Sequence, residues 1–126
     1  MPQQANFWNV LAEVRFDKKK DTQGFEVDVP VFSKHLQTFG GKRVQLRGYM
    51  IPIQELGDQS KFMLSSLPYS LCYFCGAAGP ETVVEVEFDE GTKFVTRQIR
   101  IEGMLVLNSN NPDHHIYILK SAKLIE

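Results

Sequence analysis

The chain has 126 residues, of which 43% are apolar and 23% charged, and its formal net charge is −1. This composition is typical of a globular domain, and the near-zero charge excludes bulk attraction to nucleic acid as a main driving force. No apolar run approaches the roughly 20 residues that a helical membrane span requires. Two cysteines are too few for a disulfide scaffold. We therefore expect one domain over residues 1–126, without a transmembrane segment.

Residues 1–30 predict an N-terminal extension. The apolar residues of 6–17 begin at helical spacing and end in strand alternation, which indicates a short helical turn that runs into a strand. After the polar stretch DKKKDTQG (17–24), Phe25, Val27 and Val29 alternate with acidic residues as in a half-buried strand. The extension is thus predicted to be a β-hairpin. The lysines at 18–20 are interpreted as its solvated loop tip, because Asp17 and Asp21 flank them.

Residues 31–39 predict one short amphipathic helix. Its apolar stripe consists of Val31, Phe32, Leu36 and Phe39, with His35 on or near it. Pro30 suits the first helical position, and Gly40-Gly41 supplies a left-handed stop. We interpret His35 as a packed or partly exposed histidine rather than a metal ligand.

After Gly41 the chain predicts a barrel over residues 42–125. Apolar and polar residues alternate in segments at 42–53, 61–67, 82–88, 97–107 and 115–125. Gly48 and Gly103 interrupt two of these segments on the face of the large residues, where glycine permits the sharp coil or bulge of a closed barrel. The predicted fold class is therefore mainly β: a small OB-like Greek-key barrel with an N-terminal β-hairpin extension and one short helix. Residues 89–96 leave no room for a helix between the third and fourth barrel strands, so the helix at 31–39 is expected to cap the barrel.

A family resemblance starts from the run Gly41-Lys42-x-Val44-x-Leu46-x-Gly48-Tyr49-Met50-Ile51-Pro52 and a Cys-containing loop after Pro68. Further matching positions are Trp8, Leu11, Leu36, Phe39, Phe62, Leu64 and Cys72. Together they resemble a bacterial family of small exported or lipid-anchored proteins with a Gly-Lys-x-Val-x-Ile-x-Gly-Tyr-Met-Ile-Pro signature. The resemblance covers residues 8–88 and implies an OB-like β-rich domain with no established activity. In many relatives a proline-rich segment follows the first cysteine, whereas this chain has CYFCGAAGPE there.

The resemblance also bears on the compartment. It implies an envelope location, periplasmic or lipid-anchored. The first residues, MPQQANFW, lack the basic and apolar regions of a secretory signal, which keeps a cytoplasmic location as the alternative.

The spacing that points to chemistry is Cys72-Tyr73-Phe74-Cys75-Gly76. Two thiols separated by two residues form a disulfide or provide half of a tetrahedral zinc site. Further ligands would come from His114, His115 or His35. Adjacent histidines in a strand point to opposite faces, so at most one of the pair joins the cysteines. We predict a metal site, with zinc as the candidate ion, at Cys72, Cys75 and His114.

Two alternatives for the cysteines stay open. They are structural thiols or a structural disulfide, or they form a redox dithiol. The following GAAGPE argues against the helix that usually carries a catalytic dithiol.

Two weaker patterns concern charged strand faces. Glu85 and Glu87 share one face, which we interpret as solvated although it could approach a cation. A set of basic and aromatic residues lies on outward faces where OB domains bind nucleic acid: Arg43, Arg47, Tyr49, Arg97 and Arg100. Glutamates on comparable strand faces argue against nucleic-acid binding, because they would repel the phosphates.

The sequence therefore favours a non-enzymatic binding or assembly module of the bacterial cell envelope, with a metal ion at the CxxC loop and a protein or small ligand as partner. A thiol-dependent redox or metal-delivery protein that uses Cys72 and Cys75 is the first alternative. A single-stranded nucleic-acid binder ranks last, because the net charge is close to zero.

Overall fold

A computed structural model describes residues 7–52, 59–67, 79–93, 95–109, 111 and 113–125. Its helices and strands are α1 (Phe7–Leu11), β1 (Arg15–Lys20), β2 (Glu26–Val31), α2 (Lys34–Gln37), β3 (Arg43–Pro52), β4 (Gln59–Ser65), β5 (Val83–Thr92), β6 (Ile99–Leu107) and β7 (Tyr117–Leu124), with a 3₁₀ turn at Pro80–Thr82 before β5. In the described part of the chain, no helix has the length and apolar character needed to cross a membrane.

Strands β3 to β7 form a closed barrel in the order β3-β4-β5-β7-β6, and β1 and β2 form a separate two-stranded sheet. The β5–β7 pairing is parallel, and the other barrel pairings are antiparallel. A closed five-stranded barrel of this kind, with the hairpin before it, confirms the predicted mainly β, OB-like fold class.

The core fills the barrel because inward residues alternate with outward ones along each strand. In β6, for example, every second residue from Ile99 to Leu105 is buried, while Arg100, Glu102 and Met104 between them are partly exposed. The two helices add Phe7, Leu11 and Leu36 to the same cluster, so both pack on the barrel, whereas the sequence predicted this of the helix at 31–39 alone.

Gly48 and Gly103 lie where the barrel needs them. Gly48 ends the pairing of β3 with β6, and the next residue begins the pairing of β3 with β4. Gly103 lies within the register shift between β6 and β7. Both positions confirm the predicted coil and bulge in the long strands.

The predicted helix at 31–39 is wrong in its bounds. Pro30 and Val31 belong to β2, and α2 covers only Lys34–Gln37. Its N-cap is Ser33, whose Oγ accepts a hydrogen bond from the Leu36 amide at 3.0 Å. Gly41 does adopt the expected left-handed conformation, with φ of 79°. The helical turn predicted within 6–17 is α1, so the described chain contains two short helices.

The hairpin also differs from the prediction. Lys18, Lys19 and Lys20 lie in β1 rather than at a loop tip, opposite Asp28, Val27 and Glu26 of β2. A cross-strand ion pair of 3.3 Å joins Lys18 to Asp28. Phe25 and Val27 are 65% and 39% exposed instead of half-buried, because this two-stranded sheet is not part of the barrel that would cover them.

Candidate metal centre

A cluster of polar side chains forms where β5 lies beside the start of β7. Parallel pairing places Glu85 opposite Ile118, so the residues just before β7 lie next to the N-terminal part of β5. His114 Nδ1 lies 2.7 Å from Glu85 Oε2, and the His115 amide donates to Glu85 Oε1 at 3.0 Å. Glu85 is therefore not a solvated strand residue: its side chain is only 13% exposed.

Glu87 completes the cluster. One ligand atom each from Glu85, Glu87 and His114 lies within 4.8 Å of the other two. In the part of the chain that the structure describes, no hydrogen bond or ion pair engages the Glu87 carboxylate. Ligand atoms that share one zinc ion lie about 3.4 Å apart, given metal–ligand distances of about 2.0–2.2 Å. The three ligand atoms therefore lie close to the spacing that one ion requires.

Asn108 organises the segment that carries His114. Its side-chain amide donates to the carbonyl oxygens of Asn111, His114 and His115 at 2.8, 3.2 and 3.0 Å. Its Oδ1 accepts from the Asn111 amide at 3.0 Å. This network holds the backbone at His114 in place before any ion binds.

His115 has a structural role. Its Nε2 donates to the Pro80 carbonyl oxygen at 2.8 Å, which ties the 3₁₀ turn before β5 to the segment before β7. Burial lowers the pKa of the His115 imidazole, against the opposing effects of backbone hydrogen bonds and the nearby Glu85. The two adjacent imidazole rings thus diverge: the His114 ring meets Glu85, whereas the His115 ring meets the Pro80 carbonyl oxygen and only its backbone amide contacts Glu85.

The predicted ligands Cys72 and Cys75 lie outside the described residues, as does most of the segment between β4 and β5. In the described end of that segment, the Pro80 carbonyl oxygen accepts the hydrogen bond from His115. The joining of the thiols to His114 stays a prediction.

His35 contributes to no group of metal ligands among the described residues. Its Nδ1 lies 3.0 Å from Glu13 Oε2, its side chain is 59% exposed, and its ring meets Phe39 edge-on. Hydrogen bonds from Ser33 and His35 lower the pKa of Glu13. The interpretation of His35 as a partly exposed histidine agrees with this position.

Only some of the basic residues predicted to share an outer face lie side by side. Arg47 and Arg100 lie opposite each other on β3 and β6. Arg43 is instead bound to Glu102 at 2.7 Å, and this hydrogen bond is the main cause of the lowered pKa of Glu102. Arg97 lies between β5 and β6, outside the strands.

Comparison with known proteins finds one solved structure with a similar fold. No family model matches this chain, and no curated protein matches it. Among solved structures, a DUF3299 family protein from Pseudomonas aeruginosa PAO1 is similar, with a TM-score of 0.56 and 17% sequence identity. The match covers 77% of this chain and 68% of that protein. At this identity the likeness shows the fold alone.

Proposed function

We propose that this protein is a non-enzymatic binding or assembly module of the bacterial cell envelope that holds a zinc ion on the outside of its barrel. His114, Glu85 and Glu87 supply the first ligands, and Cys72 and Cys75 are the candidates to complete the site. The observation that carries the proposal is the approach of three ligand atoms from two distant segments to within 4.8 Å.

The ligand types support zinc. Imidazole nitrogen, carboxylate oxygen and thiolate sulfur are the donors that zinc accepts in proteins. Two carboxylates balance the charge of a divalent ion. The hydrogen bonds of His115 to Glu85 and of Asn108 to the His114 carbonyl provide the outer support that orients metal ligands.

The exposure of the cluster supports a binding role. The His114 side chain is 39% exposed, on the outer surface of the barrel. An ion there suits the attachment of a loop or partner, whereas catalysis benefits from a site that excludes water. The envelope location is supported by the Gly-Tyr-Met-Ile-Pro resemblance of β3.

The test is zinc binding by titration calorimetry, with metal content measured on protein purified without chelator. We expect about one zinc per chain. His114→Gln and Glu87→Gln should each weaken binding by more than the roughly 10–100-fold that loss of an outer-shell partner costs. His35→Gln is the matched control, because His35 also pairs with a glutamate but lacks a third ligand in the described structure.

A Cys72→Ser/Cys75→Ser double variant separates the two halves of the site. Weaker binding in this variant and in His114→Gln would support one combined site. The proposal is wrong if no zinc binds, if His35→Gln weakens binding as much as His114→Gln, or if only the cysteine variant has an effect.

A further inference from the structure

A groove of about 520 Å³ lies at the capped end of the barrel, between α1, α2 and the start of β3. Small-molecule sites usually measure about 300–1,000 Å³. The floor of the groove is apolar and consists of Phe7, Val10, Phe39 and Val44. It shares no residue with the Glu85–Glu87–His114 cluster, so the groove is separate from the proposed zinc site.

The floor of the groove is held in place by the core. Phe7 and Val44 are each only 7% exposed, and the Phe7 and Phe39 rings meet edge to face with centroids 5.1 Å apart. The Trp8 indole N–H donates to the Arg47 carbonyl at 2.8 Å and fixes α1 against β3. The groove is therefore formed before a ligand binds, which reduces the entropic cost of binding.

The rim of the groove carries an excess of positive charge. Of its charged residues, Arg43 and Glu102 neutralise each other in an ion pair of 2.7 Å. His35 is engaged by Glu13, which lies outside the groove lining. Lys42 makes no side-chain hydrogen bond or ion pair with the described residues. Its ammonium group is thus available at the edge of an apolar surface.

We propose that this groove binds a free single-chain amphiphile with an acidic head group, such as a fatty acid. The acyl chain lies on Phe7, Val10, Phe39 and Val44, and the carboxylate pairs with Lys42. An apolar floor with a single converging charge is the usual composition of such a site. A neutral or cationic amphiphile of equal length would lack the ion pair with Lys42.

The test uses the full chain with dodecanoate and dodecyltrimethylammonium below their micelle concentrations and dodecanol below its solubility limit. Binding is followed by amide chemical-shift changes at Phe39, Lys42 and Val44. We expect dodecanoate to bind roughly two- to fivefold more tightly than the other two, as an ion pair with the exposed Lys42 side chain predicts. Lys42→Glu should lose this preference, whereas Lys34→Glu, on α2 but outside the groove lining, should keep it.

Three outcomes would overturn the proposal. Equal affinity for the cationic amphiphile would remove the role of charge, and unchanged dodecanoate binding in Lys42→Glu would remove the role of that residue. Co-sedimentation with phosphatidylglycerol vesicles, without shift changes from dodecanoate, would assign the groove to a membrane surface instead.

Discussion

Gly48 is a position in the barrel where a larger residue does not fit without strain. At this position β3 leaves β6 and begins to pair with β4. A Cβ there would collide with the backbone carbonyl oxygen of Ser65 and would lie 3.0 Å from Leu64 Cγ. The obstacle is main chain of the neighbouring strand, which cannot move aside without breaking the sheet.

We therefore predict that Gly48→Ala lowers the free energy of unfolding by about 1–3 kcal/mol, the usual cost of overpacking. Urea unfolding followed by circular dichroism measures it. Gly40→Ala is the control, because its Cβ would meet the Gln37 carbonyl oxygen at 3.4 Å and Leu107 Cδ1 at 3.5 Å, which are ordinary contacts. Equal losses in both variants would refute the steric explanation.

His115 couples the stability of the fold to pH. Burial holds the pKa of its imidazole below the ordinary value of 6.5, so the unfolded chain binds a proton before the folded chain does. The contribution of the neutral His115 imidazole to the free energy of unfolding is fully present above pH 6.5. It is lost as the pH falls through the lower pKa of the folded state.

The expected result is a free energy of unfolding that declines as the pH is lowered below 6.5, with a smaller decline in His115→Gln. Urea unfolding at a series of pH values measures both slopes. His35→Gln should retain the slope that His115 causes, because its side chain is 59% exposed. A His115→Gln slope equal to that of the wild type would contradict this assignment.

At the scale of elements, the helices depend on tertiary contacts rather than on their own length. α1 has five residues and α2 has four, both too short to be stable alone. α1 is held by buried Phe7 and Leu11 and by the Tyr117 hydroxyl, which donates to the Leu11 carbonyl at 2.6 Å. Burial also raises the pKa of Tyr117, which keeps the hydroxyl a donor.

Tyr117→Phe should lower the free energy of unfolding by about 0.5–1.5 kcal/mol, because the Leu11 carbonyl loses its 2.6 Å hydrogen bond and keeps only the 3.4 Å one from the Val14 amide. Amide exchange in α1 should become faster at the same time. Tyr49→Phe, on the outer face of β3, should change stability by no more than about 0.5 kcal/mol. If α1 exchange is unchanged in Tyr117→Phe, the hydroxyl does not anchor this helix.

Two predictions about the hairpin are wrong for physical reasons. Alternation predicts that Phe25 and Val27 are half-buried, but alternation reports only that two faces differ and not whether a second layer covers one of them. The lysines at 18–20 read as a loop, yet they lie in a strand because pairing with Glu26–Val31 outweighs their low strand propensity. Neither the absence of a covering layer nor the pairing of the two strands can be predicted from the local sequence pattern.

At the scale of the whole molecule, the candidate zinc site is a product of topology. Glu85 and His114 are 29 positions apart and meet because β5 and β7 pair in parallel. Sequence reasoning names His114 as a ligand and Glu85 and Glu87 as a shared face, but it joins His114 to the cysteines and leaves the glutamates in solvent. The strand order would have predicted the contact between Glu85 and His114, but no local motif indicates the strand order.

The mainly β class, the five barrel strands to within a few residues and the roles of Gly48 and Gly103 could all be predicted from the order of the amino acids. These follow from alternation and from side-chain size, which are local properties. The approach of His114 to Glu85, the turn of the His115 ring to Pro80 and the exposure of Phe25 and Val27 follow from the tertiary structure alone. Those contacts depend on which strands become neighbours, and strand order is set by the packing of the entire core.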